Sequence, residues 1–173
     1  MKGKERKMKK PDGKKNVNID MDGVLADFYG ETECVERFEH ERNFFLNLKP
    51  LRKNVDAVKK AAADGRYNIF ILSASPNDRC DRDKRLWLLK YLPEVQTENV
   101  IIMRNGEDKS KYMKTPDGIL FDDYGKNIEK WICSNAGVNR AVKIRKDGDV
   151  ADGLLAIMVM NDLILNGSGQ TET

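Results

Sequence analysis

The sequence predicts an α/β fold built on a mainly parallel, five-stranded sheet with helices on both faces. Short apolar runs rich in β-branched residues alternate with segments of helical periodicity, and glycines and prolines separate many of them. Polar side chains also end three of these runs, at Asp20, Ser73 and Asp122. Because ligands of parallel sheets bind at the carboxyl ends of the strands, this coincidence predicts both the fold and the position of a site.

Five short apolar runs are predicted to be strands. The first alternates apolar and polar residues, and the second, YNIFIL, is rich in β-branched and aromatic residues. In chain order, the predicted strands are residues 17–20, 67–72, 100–103, 118–121 and 140–144.

Five segments are predicted to be helices, because they carry an apolar face or end at a helix stop signal. In chain order they are residues 31–42, 54–64, 84–91, 127–136 and 154–165. Val55 and Val58 give the second helix its apolar face, and Gly65 ends it. Pro93 and Gly137 end the third and fourth helices in the same way.

The composition is typical of a soluble, highly charged globular protein, with 40% hydrophobic and 34% charged residues. The chain contains no apolar run of membrane-spanning length and no secretory leader, so we expect a cytoplasmic protein without a membrane segment. The cysteines Cys34, Cys80 and Cys133 form no CxxC pair, which argues against a zinc site or a disulfide scaffold. His40 is the single histidine, so catalysis by a Ser-His or Cys-His pair is not expected.

The net charge of +3 is unevenly distributed along the chain. Residues 1–15 hold eight lysines and arginines against two acidic residues, which leaves the remaining chain with a net charge of −3. We expect this basic arm to be disordered, or alternatively to make a weak contact with nucleic acid through phosphate charge. Residues 16–166 are predicted to form one domain, and residues 167–173 a mobile tail. The sequence does not indicate an oligomeric state.

Two pairs of aspartates follow predicted strands. Asp20 and Asp22 follow the first strand, and Asp122 and Asp123 follow the fourth. Clustered carboxylates do not serve packing, because each buried charge must be desolvated and paired. They suit Mg²⁺, which prefers oxygen ligands and keeps several waters. One carboxylate can also attack phosphorus while another acts as general acid and base, so the pattern predicts phosphate chemistry.

Charge that develops on a transferred phosphoryl group has to be met by fixed donors. Ser73 offers a hydroxyl and a backbone N–H, and Lys109 offers a cation. Each residue also has an interpretation without phosphate binding. Ser73 could stabilise a local turn, and Lys109 could be a solvated surface lysine.

Residues 20–28 read DMDGVLADF, and this segment resembles the first motif of the haloacid dehalogenase-like phosphatase superfamily, in particular of its 5′(3′)-deoxyribonucleotidases. Four further segments resemble family segments in the same order along the chain. Residues 43–50 resemble an FF-x-x-L-x-P segment, and residues 70–76 resemble the second motif. Residues 84–87 resemble a K-x-x-W helix, and residues 119–123 resemble the fourth motif. The resemblance covers about residues 16–144 and implies a Rossmann-like sheet with a helical cap.

The resemblance also implies roles for the aspartates and a requirement for Mg²⁺. Asp20 corresponds to the nucleophile and Asp22 to the general acid and base, whose backbone carbonyl also binds the metal. Asp20 contributes to the metal site as well. Asp123 corresponds to a direct metal ligand, and Asp122 acts through water or as support.

The phosphoryl group is expected to contact Ser73, Ala74 and Lys109. Ser75 competes with Ser73 for this role, because the serine of the second motif is shifted, and Lys111 competes with Lys109.

The cap, at about residues 28–50, is very short. Its aromatic residues, with Phe28 and Phe44 as candidates, either contact the substrate or pack in the core.

The resulting functional prediction is a Mg²⁺-dependent phosphomonoesterase. Its substrate would be a small phosphate ester, a nucleoside (deoxy)monophosphate, hydrolysed through an aspartyl-phosphate intermediate. Two alternatives remain. The same chemistry could act on a sugar phosphate or on a nucleic-acid terminal phosphate, or the domain could keep the fold as a binding module without catalysis.

Overall fold

The computed structural model describes residues 13–115, 117–134 and 140–167, with side chains described as far as residue 159. The predicted basic arm therefore lies outside the described residues except for residues 13–15. The predicted tail also lies outside them, except for residue 167.

The chain folds into five strands and six helices over the described residues. The strands are β1 Lys15–Ile19, β2 Tyr67–Ser75, β3 Val100–Arg104, β4 Ile119–Asp122 and β5 Arg140–Lys143. The helices are α1 Cys34–Arg37, α2 Phe44–Asn47, α3 Arg52–Ala63, α4 Asp78–Tyr91, α5 Gly125–Cys133 and α6 Asp149–Gly167. Two 3-10 turns, Thr97–Asn99 and Lys109–Tyr112, flank β3.

The five strands form one sheet in the order β3-β2-β1-β4-β5, and every neighbouring pair is parallel. From β1 the chain moves outward through β2 to β3, and then returns to the other side of β1 to add β4 and β5. The strand order therefore reverses between β1 and β4, which is where ligands bind in sheets of this kind. The predicted α/β fold with a five-stranded parallel sheet is confirmed.

Helices cover both faces of the sheet, as predicted. On one face a large apolar cluster joins alternate residues of β1, β2 and β4 to α3, α4 and α6. On the other face a smaller cluster is centred on Trp131 of α5, with Leu72 and Leu120 from the sheet. The two tryptophans anchor the opposite faces: Trp87 donates a hydrogen bond to the carbonyl of Leu48 at 2.8 Å, and Trp131 donates to that of Gly118 at 3.1 Å.

The predicted helix at residues 31–42 is wrong. Only Cys34–Arg37 is helical, and turns follow it. This stretch is charged and buries little apolar surface, so an ion pair between Arg37 and Glu41 at 2.6 Å cannot offset the cost of helix formation. The short helix α2 was not predicted, because four residues carry no readable periodicity.

Two elements are longer than predicted. α4 begins six residues before residue 84, because the side chain of Asn77 accepts a hydrogen bond from the backbone N–H of Cys80 at 3.0 Å and caps the helix. β2 continues to Ser75, since its last residues pair with β3, Ser73 with Ile102 among them. Ser73 therefore lies within a strand and not at the start of a loop.

The last helix, α6, begins five residues earlier than predicted and is strongly apolar. Leu154 is buried against the large cluster, whereas Leu155 and Val159 are exposed. Among the helices of the described chain, none combines the length and apolar character that a membrane crossing requires.

Candidate active site

The candidate site lies at the carboxyl edge of the sheet, where the strand order reverses. Asp20 directly follows β1, and Asp122 is the last residue of the neighbouring β4. The backbone N–H of Asp20 donates to the carbonyl of Phe121 at 2.9 Å, which locks the two strand ends together. The parallel register thus brings together two aspartates that are about a hundred residues apart in sequence.

A tight turn after Asp20 holds the next aspartate at the site. The carbonyl of Met21 accepts hydrogen bonds from the backbone N–H groups of Leu25 and Ala26 at 2.8 and 2.9 Å. Gly23 has a φ of +70°, and a side chain at this position would collide with the carboxylate of Asp123 and lie 2.8 Å from the ring of Tyr29. Glycine is therefore required for the carboxylate to approach the turn this closely.

The carboxylates of Asp20, Asp122 and Asp123 converge, each with an oxygen within 4.8 Å of the others. Asp122 is fully buried and Asp20 is nearly so. Burial, followed by the charges of Asp20 and Asp122, raises the pKa of Asp123 to about 7. Burial and Asp20 also raise the pKa of Asp122. Three carboxylates held this close are strongly stabilised by a cation.

Lys109 supplies one cation to this cluster. Its Nζ lies 2.8 Å from Asp20 Oδ1 and 2.6 Å from Asp122 Oδ2, and the side chain is buried. Burial acts to lower the pKa of Lys109, but the two carboxylates outweigh it, so the pKa is raised and the amine stays protonated. The competing Lys111 is exposed and lies in the same 3-10 turn.

Asp122 is held by more donors than its neighbours in the cluster. Besides Lys109, its carboxylate accepts from the backbone N–H of Tyr124 at 2.8 Å and from the side-chain amide of Asn127 at 3.0 and 3.2 Å. Asn127 lies on α5, so the start of this helix is tied to the end of β4. These bonds occupy both carboxylate oxygens, which suits a supporting role for Asp122.

Lys84 is a site residue that sequence reasoning missed. Its Nζ forms an ion pair with Asp22, donates to the hydroxyl of Ser73 at 3.0 Å and donates to the carbonyl of Ala74 at 2.5 Å. The ammonium also lies 4.3 Å from the ring centroid of Phe45, and the side chain is fully buried. A buried lysine is rare unless it is paired, and the ion pair with Asp22 provides that partner here.

A sequence signal for Lys84 exists in the pattern of α4. Lys84 shares the buried face of this helix with Cys80, Trp87 and Leu88. A lysine at a core position of an amphipathic helix indicates a buried carboxylate partner elsewhere in the chain. The sequence does not show which carboxylate that is.

The Asp22 side chain is partly buried, at 24% exposure, and has a single strong partner. Burial raises its pKa, and the charge of Lys84 acts in the opposite direction. One oxygen, Oδ2, pairs with Lys84, while Oδ1 has no hydrogen-bond partner among the described residues. A carboxyl group with a raised pKa and a free oxygen is suited to proton transfer.

The two candidate serines differ in their partners. The Ser73 hydroxyl accepts a hydrogen bond from Lys84 and is buried beside Asp22 and its partner. The Ser75 hydroxyl donates to the carbonyl of Asn77 at 3.0 Å, at the start of α4. Ser73 therefore faces the charged groups of the site, whereas the hydroxyl of Ser75 supports a turn.

The cap aromatics pack against one another. Phe28 lies within 5.9 Å of the ring centroids of Phe38 and Phe44, with edge-to-face geometry, and Phe44 and Phe45 are buried. Only Tyr29 among them is largely exposed, at 66%, and partial burial, followed by the charge of Asp123, raises the pKa of its hydroxyl. Phe44 is only 2% exposed, so in this structure it packs in the core, as the second of the two interpretations for the cap aromatics holds.

A family model and a phage protein match this chain. Residues 31–148 match the family described as 5′ nucleotidase, deoxy (pyrimidine), cytosolic type C protein (NT5C). A protein of Vibrio phage KVP40, named "Putative 5′(3′)-deoxyribonucleotidase", is 29% identical over 97 residues, which cover 50% of this chain and 56% of that protein. The match thus spans little more than half the length of this curated relative.

Solved structures share the fold at low sequence identity. A chain of the Pnkp1/Rnl/Hen1 complex superposes with a TM-score of 0.54 at 17% identity, covering 83% of this chain and 51% of that chain. A "putative haloacid dehalogenase-like hydrolase" of Burkholderia xenovorans LB400 superposes with a TM-score of 0.51 at 16% identity, and the superposition covers 80% of this chain and 85% of that chain. These similarities establish the haloacid dehalogenase-like fold.

Proposed function

The chain belongs to the 5′ nucleotidase, deoxy (pyrimidine), cytosolic type C family, and from this premise we propose a specific reaction. The protein is a phosphatase of the nucleotidase type. We propose that it hydrolyses nucleoside (deoxy)monophosphates through an aspartyl-phosphate, with Mg²⁺ as cofactor. The observation that carries the proposal is the position of Asp20, which lies where the strand order reverses and is paired with Lys109 at 2.8 Å.

The donor set at this edge fits a magnesium ion. Asp20, Asp122 and Asp123 contribute hard oxygen ligands within 4.8 Å of one another, and the raised pKa of Asp123 reflects like charges that a cation would compensate. Asp20, Asp123 and the backbone carbonyl of Asp22 would hold the ion, with Asp122 in support. When bound, Mg²⁺ neutralises negative charge on the phosphoryl oxygens.

Asp20 would act as the nucleophile in the first step. One carboxylate oxygen forms a bond to phosphorus as the bond from phosphorus to the ester oxygen breaks. The departing alkoxide takes a proton from Asp22, whose raised pKa favours the protonated form. Lys109 Nζ lies 2.8 Å from Asp20 Oδ1 and forms an ion pair with the attacking carboxylate.

Asp22 would act as the general base in the second step. A water molecule attacks the phosphorus of the aspartyl-phosphate and gives its proton to the now ionised Asp22. Phosphate leaves, and the carboxylate of Asp20 is restored. Lys84 would position Asp22 for both proton transfers, because it holds one oxygen and leaves the other, Oδ1, without a partner among the described residues.

The phosphoryl group would be held at the ends of β2 and β4. Lys109 contributes its ammonium group. The Ser73 hydroxyl accepts from Lys84 and so keeps its own hydrogen for donation to a phosphoryl oxygen, and Ala74 lies next to it in β2. The segment at about residues 28–50 would serve as a reduced cap within a single domain, leaving the substrate largely open to solvent.

A substrate panel tests this proposal. We expect Mg²⁺-dependent phosphate release from deoxyribonucleoside monophosphates, measured against ribonucleotides, 3′ and 5′ esters, and a sugar phosphate. A sugar phosphate that is hydrolysed better than every nucleotide would contradict the substrate class. Absence of turnover with any of these esters and several divalent ions would contradict the enzymatic proposal as a whole.

Cation binding is expected to weaken as the pH falls below 7. The pKa of Asp123 in the folded protein is about 7, whereas its ordinary value is 3.8. At a pH between these two values, Asp123 is therefore mostly protonated in the cation-free folded protein and mostly ionised in the unfolded chain. The stability of the cation-free protein therefore falls as the pH rises from about 4 to 7. Because the ion has to displace this proton, its affinity should be about tenfold lower at pH 6 than at pH 8.

Calorimetric titration of the protein with Mg²⁺ at both pH values checks this, using buffers of different ionisation enthalpy to count the released proton. The variant Asp123→Asn should bind more weakly and lose the dependence on pH. An affinity of the wild-type protein that stays constant between the two pH values would show that Asp123 is not a ligand.

A further inference from the structure

A basic cavity of about 480 Å³ has no part in the proposed reaction. It is lined by Arg42, Asn43, Arg79 and Arg82. Arg42 and Asn43 end the connection between α1 and α2, at residues 38–43, whereas the other two arginines lie in the first turns of α4. Two separate parts of the chain therefore form the cavity. Its volume is typical of pockets that hold small molecules, which range from about 300 to 1,000 Å³.

Arg79 is fixed between these two parts of the chain by neutral groups. Its guanidinium donates hydrogen bonds to the backbone carbonyls of Glu39 and His40, at 2.6 and 3.2 Å. Its Nε is buried and has no hydrogen-bond partner within the ranges that the structure describes. Carbonyl oxygens satisfy donors without neutralising charge, so Arg79 keeps its positive charge and one N–H donor without a partner.

Three carboxylates that flank the cavity residues in sequence are paired with other arginines. Glu41 pairs with Arg37 at 2.6 Å. Asp78 and Asp81 both pair with Arg104, the last residue of β3. These carboxylates are therefore already used, and they do not neutralise the cavity.

Among the described residues, Asp83 is the single carboxylate that forms an ion pair with an arginine of the cavity. Its contact with Arg82 is long, at 3.9 Å, and the Arg82 side chain is 68% exposed. An exposed pair of this length contributes little, so the positive charge of the cavity remains. This charge does not reflect a general excess of basic residues, because the chain beyond residue 15 has a net charge of −3.

Asn43 adds a neutral polar group to the cavity. It has a φ of +58°, in the left-handed region that asparagine tolerates better than most residues. It precedes α2, but its side chain makes no capping hydrogen bond to that helix. The amide is therefore available to a ligand of the cavity.

These groups suit phosphate oxygens. A planar guanidinium presents N–H donors that match two oxygens of one phosphate group, and an amide adds a further donor. Three arginines carry three positive charges, whereas one phosphate group carries a charge of about −2 at most. The charge and the volume together favour an anion with more than one phosphate group.

We propose that this cavity is a second anion site, which binds a small anion with two or more linked phosphates, such as pyrophosphate or the triphosphate chain of a nucleotide. Arg79 provides the fixed guanidinium, while Arg42 provides charge from the connection between α1 and α2 and Arg82 provides it from α4. The bound anion therefore joins that connection to α4. The site goes beyond the proposed reaction and does not depend on it, since no phosphate is transferred there.

Calorimetric titration of the full chain with pyrophosphate, without Mg²⁺ and at constant ionic strength, tests the proposal. The variant is Arg42→Ala/Arg82→Ala, which removes two exposed side chains and spares Arg79 and its bonds to the backbone. The matched control is Lys60→Ala/Lys90→Ala, which removes two exposed charges from α3 and α4. Both proteins keep residues 1–15, so any attraction of the anion to the basic arm is the same in each.

We expect the arginine variant to bind pyrophosphate at least about tenfold more weakly than the wild type, and the control to bind as the wild type does. Ser73→Ala, which alters the proposed phosphoryl contact at the aspartates, should also bind as the wild type does. Hydrogen exchange gives a second measurement. Pyrophosphate should slow the exchange of backbone amides at residues 38–43 in the wild type, but not in the arginine variant.

Parallel titrations identify the source of the phosphates. Equal affinities for pyrophosphate and a nucleoside triphosphate would support a site that recognises the phosphates alone. A higher affinity for the triphosphate would support a nucleotide as the ligand. Inorganic phosphate that binds as tightly as pyrophosphate would contradict the requirement for linked phosphates.

Three results would overturn the proposal. An arginine variant that binds pyrophosphate as tightly as the wild type would remove the cavity from anion binding. A loss of binding in Ser73→Ala alone would place the anion at the aspartates, and an equal loss in the control variant would show a non-specific attraction of charges. If the double variant does not fold, Arg82→Ala alone serves the same comparison, because its side chain is exposed.

Discussion

Replacement of Asp20 by asparagine is expected to lower kcat by at least about a thousandfold while the protein stays folded. The amide has no anionic oxygen to attack phosphorus, so the aspartyl-phosphate cannot form. The loss of activity should not be accompanied by a loss of structure, because the charge of Asp20 contributes to the raised pKa values of Asp122 and Asp123. Removing that charge relieves the repulsion among the remaining carboxylates, and Lys109 keeps Asp122 as its partner.

Phosphate release and thermal unfolding, measured side by side without and with Mg²⁺, check this prediction. Asp56→Asn is the matched control, since this aspartate is exposed on α3 and distant from the cluster. Its activity and unfolding temperature should equal those of the wild type. A folded Asp20→Asn protein that kept a tenth of the activity would exclude Asp20 as the nucleophile and leave that role to a different carboxylate. An unfolded Asp20→Asn protein would contradict the expectation that the charge of Asp20 is not needed for stability.

Replacement of Lys84 by methionine is expected to destabilise the protein by about 3 kcal/mol, because it leaves the partly buried carboxyl group of Asp22 without its partner. For a chain of this size the unfolding temperature should fall by about 10 °C. Activity should fall by at least about a hundredfold, because Asp22 is no longer oriented for proton transfer. Chemical denaturation and steady-state kinetics measure the two effects separately.

A double-mutant cycle identifies the cause of the Lys84 effect. The variant Lys84→Met/Asp22→Asn should recover much of the lost stability, since the unpaired charge is gone, but none of the activity. Lys90→Met, on the exposed face of the same helix, should change stability by less than about 0.5 kcal/mol. A Lys84→Met protein as stable as the wild type would show that the ion pair with Asp22 contributes nothing in solution.

Local patterns in the sequence were sufficient to predict the fold class. The apolar runs that became β1, β2 and β4 each end at a polar residue, and strands of a parallel sheet end at a common edge, so Asp20 and Asp122 were expected at the same edge. That β1 and β4 are neighbours was decided by the tertiary structure. The fold class and the family were therefore predicted and are confirmed, whereas the assignment of this edge as the active site stays a prediction. The roles of individual residues in the reaction stay predictions, although Lys109 does lie against Asp20 and Asp122.

Helix and strand ends were predicted less well, because long-range contacts decide them. The segment at residues 31–42 has charges that can pair within a helix, but only Cys34 of it is buried, so most of it stays in turns. β2 reaches Ser75 only because β3 lies beside it. A single sequence contains neither the neighbouring strand nor the surface that a helix packs against.

The sequence by itself determined the α/β fold, the family and the edge at which the aspartates lie, because apolar periodicity and short motifs are local signals and the strands of a parallel sheet end at a common edge. Only the tertiary structure decided which cation pairs with which carboxylate. Lys84 and Asp22 are 62 residues apart, and Lys109 and Asp122 are 13 apart across a turn and a strand. Such pairs form because burial makes an unpaired charge costly, and burial is a property of the packed molecule rather than of any one segment.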